Sequence, residues 1–293
     1  MSMRGGVYDI VAAWIARVNS SGIAVGQLDP DSVGVGPTVS PAYRIYGLDS
    51  IKPAAGTKAS VQWRSSSIPD GKVQVGLDGI NDAEVTVTQW DDGLGPMING
   101  GLVDTTSLSG MEWSAPNNMN PQPNTVCFCA IAKFNRFGNT KGTKYLHFLY
   151  PYCTISRDTV GSQQVSGNQT NPNNIVLRIS PQPASKFPVG VAFGANQNWY
   201  GYQEFEFQGL ADYPYFMDTW IADGTATTFD LTYKPKKSTV TGGKTDNWVT
   251  KNGTETAPTS ISTSTGAVVV AAAGTAADIW NLFYPVAPNL LGT

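Results

Sequence analysis

The chain has 293 residues, of which 41% are hydrophobic and only 14% charged, with 31 glycines and 19 prolines. That profile excludes a disordered or coiled-coil protein and points to a turn-rich β protein, long enough for about two domains, with much of its surface covered by other protein. A net charge of −3 without any run of Lys or Arg argues against a basic patch for specific nucleic-acid binding.

Along the chain, residues 7–18 (VYDIVAAWIARV) put Val7, Ile10, Val11, Trp14 and Val18 on one helical face. The longer stretch WIARVNSSGIAVGQ reads equally as two strands around the turn Asn19-Ser20-Ser21-Gly22, and the turn chemistry favours strands. Residues 29–41 are a Pro/Gly/Asp-rich loop. AYRIYGLDSIKP is a strand ended by Pro53, ASVQWRSSSIP is another, and KVQVGLD and EVTVTQW alternate cleanly. DDGLGPMINGG holds one short helical turn. Residues 104–125, rich in Ser, Asn and Pro, read as a long surface loop. TVCFCAIAKFNRFGNTKGTKYLHFLYPYCTIS is a long hairpin whose arms are apolar on both faces, so both faces should be covered. Its tip carries Arg136, Lys141 and Lys144, with Lys133 just before it and Phe134 and Phe137 alongside. Such a tip is expected to reach a neighbouring subunit.

NNIVLRIS is a further strand. In NWYGYQEFEFQGL, Phe205 and Phe207 alternate with Glu204 and Glu206, which puts the two carboxylates on the opposite face from the rings. The pattern then restarts at DGTATTFDLTYKP, with a turn at Asp223-Gly224 and a strand closed by Pro235. The expected division is residues 1–218 and a small C-terminal β unit, 219–293.

No catalytic constellation emerges. Cys127, Cys129 and Cys153 lack a disulfide framework and read as buried, reduced thiols. His147 is the only histidine and has no nucleophile motif beside it, so it reads as structural or exposed. TGGKT at 241–245 resembles a phosphate-binding loop, but Ser238 stands where that loop needs its first glycine. Asp29, Asp31, Asp91 and Asp92 lack calcium-loop spacing. VYDIVAAWIARV is broken by Asp9 and Arg17, and AVVVAAAGTAA is shorter than the roughly 20 apolar residues of a membrane span. The expectation is a soluble protein that is no enzyme and has no cofactor, metal or membrane partner.

DGTATTFDLTYKP, followed by VTKNGTETAPTSISTSTGAVVVAAAG, resembles a small β module of bacteriophage structural proteins. That module has a Gly-Asp-Gly-Thr-rich start, an alternating strand, a proline, a V-x-x-N-G turn and a G-x-V-V-x-x-A-A strand. Here Ala222 replaces the first glycine and TGGKTDN is inserted. Residues 7–218 are similar to phage major tail tube proteins of the siphophage kind. The similarity lies in the opening WIARVNSSGIAVGQ hairpin, the DAEVTVTQWDDGLGPMINGG passage, the central long hairpin and YQEFEFQGLADYP. It implies a mainly β fold: a β-sandwich or barrel with one short flanking helix, joined to a small C-terminal β domain of the decoration kind. It also implies hexameric rings stacked into a virion tail tube assembled in the host cytoplasm. Partners would be further copies, a tape measure and a tail terminator, with DNA only as transient, non-specific cargo. Glu204 and Glu206 would face the lumen. Alternatives are a capsid decoration or fibre protein, a carbohydrate-binding sandwich using Trp199, Tyr200 and Tyr202, and, more remotely, a glycoside hydrolase using the Glu204/Glu206 pair.

Overall fold

The computed structural model describes residues 5–28, 38–52, 56–65, 68–80, 82–88, 93–99, 102–104, 112–114, 124–136, 144–157, 175–192, 199–200, 203–205, 211–240 and 246–291. The chain opens with β1 (Gly5–Val18) and β2 (Ala24–Gly26), joined by a turn in which Asn19 Oδ1 accepts the N–H groups of Ser21 and Ile23. Next come β3 (Thr38–Pro41), β4 (Tyr43–Ile45) and β5 (Leu48–Lys52). The expected single strand over 42–53 is broken by Gly47, whose φ of 65° turns the chain between the last two.

A long hairpin of β6 (Gly56–Ser65) and β7 (Ile68–Ile80) precedes β8 (Ala83–Val87) and α1 (Leu94–Asn99), the expected helical turn. β10 (Glu112–Ser114), inside the stretch read as loop, pairs with β9 (Leu102–Asp104), which ends where that stretch begins. The central hairpin is β11 (Thr125–Arg136) and β12 (Lys144–Arg157), followed by β13 (Ile175–Pro181), β14 (Pro183–Ala184), β15 (Trp199–Tyr200) and β16 (Gln203–Phe205). The last third contains β17 (Tyr215–Ile221), β18 (Thr228–Asp230), β19 (Trp248–Lys251), β20 (Thr254–Glu255), β21 (Ser260–Ile261), β22 (Ala267–Val269), β23 (Ile279–Pro285) and α2 (Pro288–Leu291).

Two sheets make a sandwich. The larger has nine strands, running β2-β1-β11-β12-β13-β8-β5, with β4 added to β1 and β16 to β12. The second has five, in the order β20-β19-β23-β17-β3. The central strands are apolar on both faces, as the sequence predicts, because both faces are covered. Ala12, Trp14 and Ala16 of β1, with Cys127, Cys129 and Ile131 of β11, join Trp220, Trp248 and Phe283 of the second sheet in one core. The alternate residues, Ala13 and Ile15 with Val126, Phe128 and Ala130, meet Leu94, Met97 and Ile98 of α1 in another. The sandwich is therefore confirmed and one helix flanks it, with the very short α2 as a second. Among the described strands the large sheet ends at β2 and β5 and does not close into a barrel.

The boundary expected at 218/219 falls inside β17. That strand pairs with β3 of the first part on one edge and with β23 of the last part on the other. The physical reason is burial. β17 is buried along its whole length: β3 and β23 take its two edges, Trp14 of β1 and His147 of β12 lie against its Phe216 and Tyr215, and Phe229 of β18 lies against its Trp220. What is small and partly set apart is a three-stranded sheet, β18-β22-β21, whose Phe229 stacks on Trp220 with ring centroids 4.3 Å apart. At one end of the sandwich Gly190 (φ 88°) and Gly253 (φ 80°) meet backbone to backbone. A Cβ on Gly190 would lie 2.5 Å from the Cα of Gly253, so no side chain fits there.

Candidate assembly surfaces

The central hairpin does not stand free. β1 pairs along β11 as far as Arg136 opposite Gly5, while β12 gives its other edge to β16 over residues 147–149 and to β13 over 153–157. The basic end is partly neutralised within the chain. Lys133 Nζ lies 2.7 Å from Asp9, and Lys144 pairs with Asp212. Phe134 is half-buried and packs on the helix-side core of its own chain. Arg136 ends β11, and Phe137 and Lys141 lie outside the described residues. Exposed ion pairs of this kind contribute only about 0–1 kcal/mol each. Their main effect here is to occupy two of the four cations expected to select a partner. Neither pairing was legible, because Asp9 is 124 residues from Lys133.

Glu204 sits in β16 opposite Phe148, and Glu206 lies outside the described residues. The long strand expected over 198–210 is described in two pieces. β15 pairs with β14, while β16 pairs with β12. Trp199 and Tyr200 therefore belong to a different two-stranded sheet from Glu204, and Tyr202 is outside the described residues, as are 241–245 and Asp29, Asp31, Asp91 and Asp92.

The groups with possible chemistry are deep in the core. His147 is fully buried between the sheets, and its Nε2 accepts the Tyr215 N–H at 3.1 Å. Burial pushes its pKa down to about 3, against a smaller opposing effect from the Tyr145 backbone. The Tyr215 carbonyl accepts Trp14 Nε1–H at 3.1 Å. Both main-chain groups of Tyr215 thus go to side chains of the facing sheet, at a position opposite Pro285, which has no N–H to offer.

Asp218 is buried as well. Its Oδ2 accepts the Thr232 N–H and the Tyr284 hydroxyl, each at 2.7 Å, and its Oδ1 accepts the Thr232 hydroxyl at 2.9 Å. Burial raises its pKa, outweighing those three hydrogen bonds. Sequence reasoning passed it over, although an Asp inside the apolar run YFMDTWI is itself a signal that a carboxylate is being satisfied internally.

The three cysteines are buried and unbridged, and burial pushes the Cys127 thiol up to about 12 and raises Cys129 and Cys153 well above the ordinary range. Native protein at pH 8 is therefore expected to take up no thiol alkylating reagent, and denatured protein to take up three equivalents by mass spectrometry. Labelling of native protein at the free-thiol rate would show that the core opens. Among the described residues no three His, Cys, Asp or Glu side chains are gathered to hold a metal, and no helix is long and apolar enough to cross a membrane.

The most conspicuous unsatisfied feature is backbone. Among the described strands β6 and β7 pair only with each other, over ten Cα partners, with register shifts at three points that increase the twist of the ribbon. A lone two-stranded ribbon is marginally stable in water and offers two unpaired edges. It is carried on β5, which is itself the end strand of the large sheet. No family model matches the chain, and no curated protein matches it.

Proposed function

We propose that this protein is a structural subunit of a phage tail tube, polymerising into stacked, hexameric rings that form a channel for DNA delivery. The observation that carries the reading is the β6–β7 ribbon, unpaired along its outer edges among the described strands, which follows in the chain from β5, an end strand of the large sheet. Unpaired strand edges of that length are completed by strands of neighbouring copies, through main-chain hydrogen bonds that need no charged side chains. The resemblance of residues 7–218 to tail tube proteins supports the same reading, as does the low charge density. In such a ring Glu204 and Glu206 face the lumen and repel passing phosphates over the roughly 8 Å that salt allows. Further copies, a tape measure and a tail terminator are then the partners, and the virion tail is the location.

Electron microscopy of purified protein tests this. Rings or tubes are expected from the full chain. Because Lys52 of β5 pairs with Glu84 of β8, residues 54–82 can be replaced by a short Asn-Gly turn without altering that register. The shortened chain is expected to fold, by circular dichroism, and to form no tubes. A full-length chain that stays monomeric at high concentration, or a ribbon-less chain that still polymerises, overturns the reading.

A further inference from the structure

Five described lysines have a carboxylate within ion-pair distance: Lys52, Lys133, Lys144, Lys237 and Lys251. No described carboxylate pairs with Arg44, Lys234 or Lys236; the two lysines line one groove, and Arg44 is bonded to Leu290, which lines it too. Lys234 and Lys236 line an open groove of about 490 Å³, together with Thr263, Asn289 and Leu290. Arg44 Nη1 donates to the Leu290 carbonyl at 3.2 Å, and its guanidinium lies 4.7 Å from the centroid of the Tyr46 ring. Tyr46 is the one large hydrophobic side chain among the described residues that is markedly exposed, at 45%.

The lysines are held in place. Thr232 is fastened to Asp218, the Tyr233 N–H donates to the Tyr284 hydroxyl, and the Lys236 N–H donates to the Pro285 carbonyl at 2.8 Å. Pro235 is buried between the two exposed lysines. A stretch pinned at 232, 233, 235 and 236 presents its two ammonium groups with little backbone freedom left to lose on binding.

We propose that this groove is a docking site for a carboxylate-bearing surface of a second copy of the chain. The proposal rests on the assembly reading above and names a contact of that assembly. Charge complementarity selects the occupant. The chain carries 22 acidic residues against 19 basic ones, and exposed Asp49 of β5 and Asp230 of β18 have no described cation partner. A phosphate backbone is the poorer match, since tracking nucleic acid takes a longer row of cations than two lysines and an arginine already bonded to Leu290.

The test compares full-length wild type, K234E/K236E and K234R/K236R by sedimentation velocity and electron microscopy, at about 50 mM and about 500 mM NaCl. Both lysines are exposed, so all three proteins are expected to fold with equal thermal midpoints. Charge reversal is expected to weaken association about tenfold at low salt, the arginine variant to match wild type, and high salt to bring wild type toward the reversed variant. Wild-type assembly that charge reversal leaves unchanged overturns the groove proposal and leaves the assembly reading standing. A wild-type chain that never associates overturns both. Salt-sensitive binding of a DNA duplex in a gel shift, lost in K234E/K236E while assembly persists, assigns the groove to nucleic acid and overturns the proposal.

Discussion

A chain cut after residue 220 is expected to give an unfolded, aggregating product, not a smaller working domain. The cut ends inside β17 and removes β23, which pairs with it, and β19, which pairs with β23, and with them Trp248, Trp280, Leu282, Phe283 and Tyr284 of the core cluster. Full burial of one such side chain contributes about 1.5–3 kcal/mol. The five together match or exceed the whole stability of a typical domain, about 5–15 kcal/mol. The fragment would also expose one face of Trp14 and Leu149, which now lie beside Trp248 and Phe283. A milder form of the same experiment is Trp220→Ala. Trp220 is almost completely buried and stacked on Phe229, and its loss is expected to cost about 3–5 kcal/mol. Circular dichroism with urea titration measures both. A soluble fragment of residues 1–220 with a cooperative melt would show that the sandwich is complete without its last third.

The misplaced boundary shows what kind of information the sequence carries. The continuous apolar runs TVCFCAIAKF and YLHFLYPYC report that both faces of each arm are buried, and the two cores divide those residues by face up to Tyr150, where a register shift between the arms moves Tyr152 and Cys153 to the opposite cores. The Asn19–Gly22 turn and the helix at 94–99 were legible for the same local reason. Turn and stop residues such as Asp223-Gly224 and Pro235 are equally local. They announce that a strand ends, and they are silent on which strand it then lies against. The paired Ile221 of β17 and Ile279 of β23 are 58 residues apart in the chain, and nothing in either strand names the other. The candidate sites follow the same division. Lys133, Phe134 and Lys144 were found as a cluster because they are near in sequence. Asp9 and Asp212, which pair with the two lysines, arrive from distant segments. The groove cations Arg44, Lys234 and Lys236 went unremarked because Arg44 joins the other two only through α2. The absence of a nucleophile motif beside His147 was legible, but its burial and its bond to Tyr215 were not.

That bond sets the second large expectation: stability should fall as the medium is acidified from about pH 6.5. In the folded protein His147 takes up a proton only near pH 3, whereas the unfolded chain does so near 6.5. Between those values the unfolded state binds more protons, so the contribution of His147 is fully present above 6.5 and is lost as pH falls toward 3. At about 1.4 kcal/mol per pKa unit, the whole span amounts to about 5 kcal/mol at most. Asp218 works in the opposite direction. Its raised pKa means that the folded state holds a proton which the unfolded chain has released above 3.8, so its contribution is largest below 3.8 and is lost as pH rises. Asp223 and Asp278, both depressed, weaken the fold only as pH falls below about 3.8. The window from about pH 4.5 to 6.5 therefore reports His147 less whatever Asp218 returns. His147→Gln keeps an acceptor for the Tyr215 N–H and removes the titration. Urea midpoints across the window should slope upward with pH in the wild type and lie flat, or slope slightly downward, in the variant. Parallel slopes in the two proteins would mean that His147 reaches water or a proton donor in the folded state, and that the contact between the two sheets at Tyr215 is looser than its geometry implies.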